Sequence, residues 1–204
     1  MADDHAASGG APLWMDSRSV CEVFDWRPSV SDREGVVSAA FMALLDVAPA
    51  FAMGVHVDEV SGLLSLSERP AGASDDPGSD LGTWELARSC CGEVASRLAG
   101  RPVRSYLKGA LTYRFRFHRF SPGDWARLAD AYRGLPGWCG DGHDLPRWFG
   151  LVESAPPFLW ASAESFGLEC FGVLVEEDWR RWHEAFVVAT AGLPALTASH
   201  LTPV

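Results

Sequence analysis

Residues 113–128 read Tyr113-Arg-Phe-Arg-Phe-His-Arg-Phe120 and then Ser121-Pro-Gly-Asp124-Trp125-Ala-Arg127-Leu128. The same pattern of a strand followed by a helix start returns later in the chain. There it reads Leu168-Glu-Cys-Phe-Gly-Val-Leu-Val175 and then Glu176-Glu-Asp178-Trp179-Arg-Arg181-Trp182. Both predicted helices run into Gly-Leu-Pro, at 134–136 and 192–194. The pattern predicts an α+β fold that contains a repeated strand–helix unit.

The first copy carries a strong helix start. Ser121 is a typical N-cap, Pro122 suits the first helical position and Asp124 can complete a capping box. Phe120 is placed to pack on Trp125 as a hydrophobic staple, which would bury the tryptophan. In the second copy Val175 occupies the cap position and is a poor cap.

Other segments extend this pattern on both sides. Hydrophobic periodicity and turn residues predict a strand over 18–26, a helix over 31–48, two strands within 51–67, a helix over 83–98, and strands over 147–153, 157–163 and 168–175. Val37, Phe41, Leu44 and Leu45 are expected on the buried face of the first helix. Gly100 is expected to cap the second helix, and Glu164–Gly167 to form a hairpin turn. Hairpins followed by helices predict a mainly antiparallel sheet with helices packed on one face.

The domain organisation follows from length and composition. The 204 residues suit one α+β domain over 13–204, preceded by a disordered N-terminus over 1–12 and interrupted by a mobile acidic loop over 68–82. No apolar run is long enough for a membrane span, and the first residues lack the features of a secretory signal. We therefore expect a cytoplasmic protein without membrane association, whose five cysteines are reduced.

Charge is unevenly distributed along the chain. The net charge is −10, yet residues 94–123 contain six Arg, Lys108 and no acidic residue. An acidic body disfavours nonspecific binding of nucleic acid and suits a basic protein partner. Asp75, Asp76 and Asp80, in the acidic loop, are candidate contacts for such a partner. The 16 Arg beside a single Lys are typical of a GC-rich bacterial genome, so Arg is the default cation here.

Arg114, Arg116 and His118 alternate with Tyr113, Phe115 and Phe117. In a strand the aromatic residues would face the core and the cations would form an outward row. The row has two interpretations: a surface for an acidic partner or anion, with Arg104 and Lys108 nearby, or a solvated face paired with Glu164 or Glu169. Recognition of RNA by stacking is not expected, because these aromatic residues would share the face covered by helices.

A short loop supplies the alternative hypothesis of an enzyme or metal protein. Cys139, Asp141, His143 and Asp144 are residue types that bind zinc and lie within six residues, with the first three as the candidate site, although a Gly-Asp-Gly turn explains the same segment without metal. The common nucleophile, nucleotide and metalloprotease motifs are missing from the sequence. Cys90 and Cys91 are expected to be buried thiols on an amphipathic helix rather than a redox centre, and His183 an exposed or hydrogen-bonded histidine rather than a base.

One stretch resembles the small α+β immunity proteins of bacterial polymorphic toxin systems. It runs from a strand ending at Trp26-Arg27 into the helix that reads Phe41-Met-Ala-Leu-Leu-Asp-Val-Ala-Pro49, about a sixth of the chain. The resemblance implies a non-enzymatic inhibitor that binds a cognate toxin and needs no cofactor. It assigns no residue to a site.

Overall fold

The computed structural model describes residues 12, 14–16, 21–47, 53–57, 62–68, 81–140, 145–153 and 155–196. The chain divides into two compact units. The first unit consists of residues 18–109 and 153–156, and the second of residues 1–17, 110–152 and 157–204. All but residue 12 of the predicted disordered N-terminus over 1–12, and most of the predicted acidic loop over 68–82, lie outside the described residues. The prediction of a single domain stays a prediction.

The first unit is an antiparallel sheet with two helices. Its elements are β2 (Cys21–Phe24), α1 (Arg33–Val47), β3 (Met53–Val57), β4 (Leu64–Glu68), α2 (Leu81–Ala99) and the first part of β5 (Ser105–Tyr113). The strand order is β3-β4-β2-β5. Glu22 of β2 pairs with Leu66 on one side and with Leu107 on the other, so all three residues share one face of the sheet.

Both helices of the first unit pack on that face. The core there is formed by Phe24, Leu64 and Leu66 from the sheet, Val36, Ala40 and Leu44 from α1, and Ala87, Cys91 and Ala95 from α2. Burying each of the larger side chains contributes about 1.5–3 kcal/mol to folding. Gly100 ends α2 with a φ of 66°, a left-handed conformation that favours glycine and confirms the predicted cap position.

The second unit repeats this layering with different elements. It contains β1 (Trp14–Asp16), the end of β5, α3 (Pro122–Gly134), β6 (Trp138–Gly140), β7 (Arg147–Trp148), β8 (Phe158–Glu164), β9 (Gly167–Leu174) and α4 (Glu176–Ala189). The strand order is β5-β9-β8-β7-β6, and β1 also pairs with β5. Glu164 pairs directly with Gly167, which confirms the predicted hairpin.

Aromatic side chains hold the helices of the second unit against its sheet. Trp148 of β7 packs on Tyr132 of α3 and Trp182 of α4, with ring centroids 5.4 and 5.1 Å apart. The indole N–H of Trp148 donates to the carbonyl of Tyr132 at 3.1 Å, which satisfies its polar atom. Tyr113 of β5 meets Phe186 of α4 at 4.4 Å. The α+β class and the antiparallel sheet with helices on one face are therefore confirmed in each unit.

Two strand predictions are wrong. The chain does not continue as a strand over 113–120, since β5 ends at Tyr113 and a 3-10 turn follows at Phe117–Arg119. The predicted strand over 147–153 stops after Trp148, because Phe149 adopts a left-handed conformation with a φ of 65° and turns the chain. The repeated strand–helix unit is therefore not confirmed, although a helix begins where each copy predicts one.

Candidate partner-binding surfaces

The segment from Arg114 to Phe120 leaves strand β5 and forms a 3-10 turn at Phe117–Arg119, just before helix α3. The amide of Phe115 donates to the carbonyl of Tyr113 at 2.9 Å, and the amide of Arg119 donates to the carbonyl of Arg116 at 2.8 Å. In place of a continued strand ladder, the segment keeps a single antiparallel bridge between Phe115 and Ala195. A link to Pro194, whose carbonyl accepts from the amide of Arg116 at 2.8 Å, holds the turn to the C-terminal part of the second unit.

The aromatic residues of this turn do face inward at its start. Tyr113 and Phe115 are buried, and Phe115 meets Phe186 of α4 in an edge-to-face contact at 6.1 Å. Phe117 is half-buried and stacks on Trp125, with ring centroids 5.1 Å apart and an interplanar angle of 17°. The alternation in the sequence therefore predicted the burial of Tyr113 and Phe115 correctly, although the strand that it predicted ends at Tyr113.

The cations of the turn face outward to different degrees. Arg114 is half-buried and its guanidinium donates to the carbonyl of Phe166 at 3.3 Å. Arg116 is also half-buried, whereas His118 and Arg119 are exposed. In the described part of the chain, no salt bridge joins Arg116, His118 or Arg119 to a carboxylate. The two arginines and the histidine are therefore not held by an internal ion pair in the described residues.

Helix α3 begins beside these cations with a complete capping box. The amide of Asp124 donates to the hydroxyl of Ser121 at 3.2 Å, and the amide of Ser121 donates to the Asp124 carboxylate at 2.9 Å. The hydrogen bonds from Ser121 lower the pKa of Asp124, and Arg127 acts in the same direction. The predicted cap is confirmed, and it fixes the backbone that carries Trp125.

Trp125 makes the predicted staple contact but is not buried. Its ring lies 5.0 Å from that of Phe120, yet 43% of the residue is exposed to solvent. The burial expected from the staple is wrong, because Phe117 and Phe120 cover only part of the indole. We call the group formed by Arg116, His118, Arg119 and Trp125 the basic–aromatic surface.

A second surface, formed by exposed apolar residues of α1, was not predicted from the sequence. Phe41, Met42 and Leu45 of α1 are exposed by 42, 59 and 39%, which contradicts the expected burial of Phe41 and Leu45. The buried stripe of α1 runs through Val36, Ala40 and Leu44, which share the core with α2, so Phe41 and Leu45 fall on the outward side. We call Phe41, Met42 and Leu45 the α1 apolar face. The acidic residues Glu34 and Asp46 on the same helix are exposed beside it.

Other predicted site residues are only partly described. Cys139 is exposed and its thiol donates to the carbonyl of Gly137 at 3.2 Å, while Asp141 and His143 lie outside the described residues. Asp75, Asp76 and Asp80 also lie outside them. Among the residues that the structure describes, no cluster of three His, Cys, Asp or Glu side chains could hold a metal ion.

The remaining candidates are two thiols and a histidine, and Cys90 is only half-buried, not buried as expected. Cys91 is buried, and desolvation, followed by the effect of Cys90, raises its pKa to about 12. His183 is half-buried, and its Nδ1 lies 2.8 Å from the hydroxyl of Tyr113, so it is a hydrogen-bonded histidine as expected. These arrangements fit residues that support the fold.

No protein-family model, curated protein or solved structure matches this chain. None of the helices in the described ranges has the length and apolar character required to cross a bilayer.

Proposed function

We propose that this protein is a cytoplasmic, non-enzymatic binding protein, most specifically an immunity-type inhibitor that neutralises a cognate bacterial toxin. The α1 apolar face is the observation that carries the proposal. A surface helix normally directs its apolar side chains to the core and its polar ones to water. Here Phe41, Met42 and Leu45 lie on the solvent side at helical spacing, so they form one stripe.

The composition of this stripe supports contact with a protein. Aromatic residues and methionine are enriched in protein interfaces, and a contiguous exposed apolar patch marks an interaction site more often than a single exposed residue does. Unlike the core residues of α1, these side chains are only partly covered by the described fold. Association with a partner would bury them and supply the missing hydrophobic free energy.

Charge supports a basic partner. Glu34 and Asp46 are exposed on the same helix as the apolar stripe, and the whole chain carries a net charge of −10. Acidic residues around an apolar centre fit the polar rim of an interface, and they would attract a basic toxin domain during encounter. The sequence resemblance to immunity proteins falls on this helix and agrees with the same interpretation.

The test begins with affinity capture from the bacterial source, using the whole chain as bait, and continues with the captured partner in purified form. We expect a basic protein whose toxicity in cells is relieved by this chain. Phe41→Ser and Met42→Ser should each weaken its binding by about tenfold, as expected for central interface residues.

Val188→Ser is the matched control, because Val188 is 77% exposed on α4 in the second unit. It should leave the dissociation constant unchanged. If all three variants bind as tightly as the unmodified chain, or if Val188→Ser weakens binding as much as the α1 variants, the proposed surface is wrong. If no basic protein is recovered at any salt concentration, the inhibitor function is wrong as well.

A further inference from the structure

We propose that the basic–aromatic surface is a second binding site, whose ligand is an acidic segment of a protein. This inference goes beyond the proposed function, because a basic toxin would be repelled here. The surface differs from most of the chain in charge: Arg116 and Arg119 lie three residues apart, with the polar His118 between them, in a chain whose net charge is −10. Charge complementarity therefore points to an anionic partner.

The cations of this surface are not used by the fold. Two exposed arginines elsewhere in the second unit are paired along their own helices: Arg133 with Asp130 at 2.8 Å and Arg181 with Asp178 at 2.7 Å. In the part of the chain that the structure describes, Arg116 and Arg119 have no such carboxylate partner. Incoming carboxylates would meet guanidinium groups without having to displace an internal ion pair.

Trp125 adds an anchor beside the cations. Phe117 stacks on one side of its ring at 5.1 Å and Phe120 contacts it at 5.0 Å, which leaves 43% of the residue open to solvent. The capping box at Ser121 fixes the backbone below it. A rigid, half-covered tryptophan loses little entropy on binding and is typical of interface hot spots.

The observations favour a peptide over nucleic acid. A peptide can place a few carboxylates on this surface alone, whereas a nucleic-acid strand brings one phosphate per nucleotide and would extend along an acidic chain. Single-strand binding surfaces also stack successive bases on several aromatic side chains. This surface offers one exposed tryptophan.

The test measures binding of a short dye-labelled peptide, in which aspartates surround one phenylalanine, by fluorescence anisotropy at low salt. We expect saturable binding that weakens as salt rises. Arg116→Ala and Arg119→Ala should each weaken it by about threefold, and the double variant by about tenfold. Trp125→Ala should weaken it further, and Trp125→Phe should restore part of the loss.

Arg133→Ala and Arg181→Ala are the matched controls and should bind the peptide as the unmodified chain does. Phe41→Ser should do so too, which separates this site from the proposed toxin-binding face. The inference is overturned if the peptide shows no saturable binding, or if the control variants lose as much affinity as the Arg116 and Arg119 variants. It is also overturned if an oligothymidylate of similar charge binds more tightly than the peptide through the same residues.

Discussion

At the scale of single residues, Asp124 shows how one carboxylate stabilises a helix start. It accepts hydrogen bonds from the amide and the hydroxyl of Ser121 at 2.9 and 2.7 Å. Both bonds favour the ionised form, which is why its folded pKa lies below the ordinary value. The stabilisation is therefore complete above the ordinary aspartate pKa of about 4 and is lost as pH falls through the lower folded pKa.

We expect Asp124→Ala to destabilise the protein by about 0.3–1 kcal/mol at pH 7, the size typical of a charged residue in the first turn of a helix. The difference between the variant and the unmodified chain should shrink below about pH 4, where the carboxylate becomes protonated. Denaturant melts at several pH values test this. A difference that stays constant from pH 7 to the acid range would show that ionisation of Asp124 makes no contribution.

The five cysteines differ sharply in accessibility. Cys139 is exposed, whereas Cys21, Cys91 and Cys170 are buried. Burial raises the pKa of Cys91 to about 12 and that of Cys170 well above its ordinary value, so neither forms the reactive thiolate near neutral pH.

We therefore expect Ellman's reagent to modify Cys139 first, with Cys91 and Cys170 reacting only on unfolding. Cys90, whose pKa is raised by partial burial, Glu93 and Asp46, should react more slowly than Cys139. Cys139→Ser should abolish the fast phase. A fast phase that persists in this variant would mean that another thiol is accessible.

Which side chains face water could be predicted only in part. The alternation over 113–117 separated the buried Tyr113 and Phe115 from the outward-facing arginines. In α1 the same reasoning failed, since it assigned burial to the largest apolar residues, Phe41 and Leu45. The buried residue at this point of the helix is Ala40, which lies in the core shared by α1 and α2. A sequence shows how apolar a residue is but not how much space its neighbours leave.

At the scale of elements, helices α3 and α4 start in opposite ways. Ser121 caps α3 through a side-chain hydrogen bond, and its Trp125 is 43% exposed. Val175 gives α4 no side-chain cap, but its Trp179 is 1% exposed. The first start is stabilised by polar bonds at the surface and the second by burial. Because the two helix starts have similar sequences, the difference in tryptophan burial could not be predicted from them.

We expect Trp179→Ala to destabilise the protein by about 3–5 kcal/mol, as for other fully buried tryptophans. Trp125→Ala should cost about 1–2 kcal/mol, since roughly half of its surface is already in water. Ser121→Ala should cost about 0.5–2 kcal/mol as a lost N-cap. Urea melts of the three variants provide the comparison. Equal losses for the two tryptophans would contradict the burial difference.

Helix positions and the hairpin were predictable because their signals are local. Capping residues, Gly100 and the two-residue turn between Glu164 and Gly167 each act within a few positions of the chain. The end of β5 was not predictable in this way. Tyr113–Phe120 has a strand-like alternation, but its amides bond within the turn and to Pro194, about 80 residues away.

At the scale of the whole molecule, the net charge of −10 sets how a basic partner would approach. Long-range attraction accelerates encounter and is screened by salt, while contacts inside the interface are screened much less. We expect the association rate constant for the captured partner to fall by about tenfold or more between low salt and about 0.5 M salt. The dissociation rate should change little. Stopped-flow or surface-binding kinetics can separate the two, and a salt effect confined to dissociation would argue against steering.

The fold class followed from the order of hairpins and helices, since each amphipathic element must bury one face against another. The candidate sites could not be predicted from the order of the elements. The row of cations was visible in the sequence, but the exposure of Trp125 beside it depends on how Phe117 and Phe120 are arranged after the turn. The α1 apolar face depends on packing between two helices that are more than 30 positions apart at their nearest ends.

The hairpin between β8 and β9 restricts which amino-acid substitutions the chain can tolerate. Gly167 has a φ of 140°, and a Cβ there would lie 2.2 Å from the carbonyl oxygen of Tyr113. No other residue fits without moving the backbone of β5. Ser165 and Phe166 next to it are exposed and meet no such barrier. In a saturation-mutagenesis library selected for folded protein, we expect almost only glycine at position 167 and many different residues at positions 165 and 166.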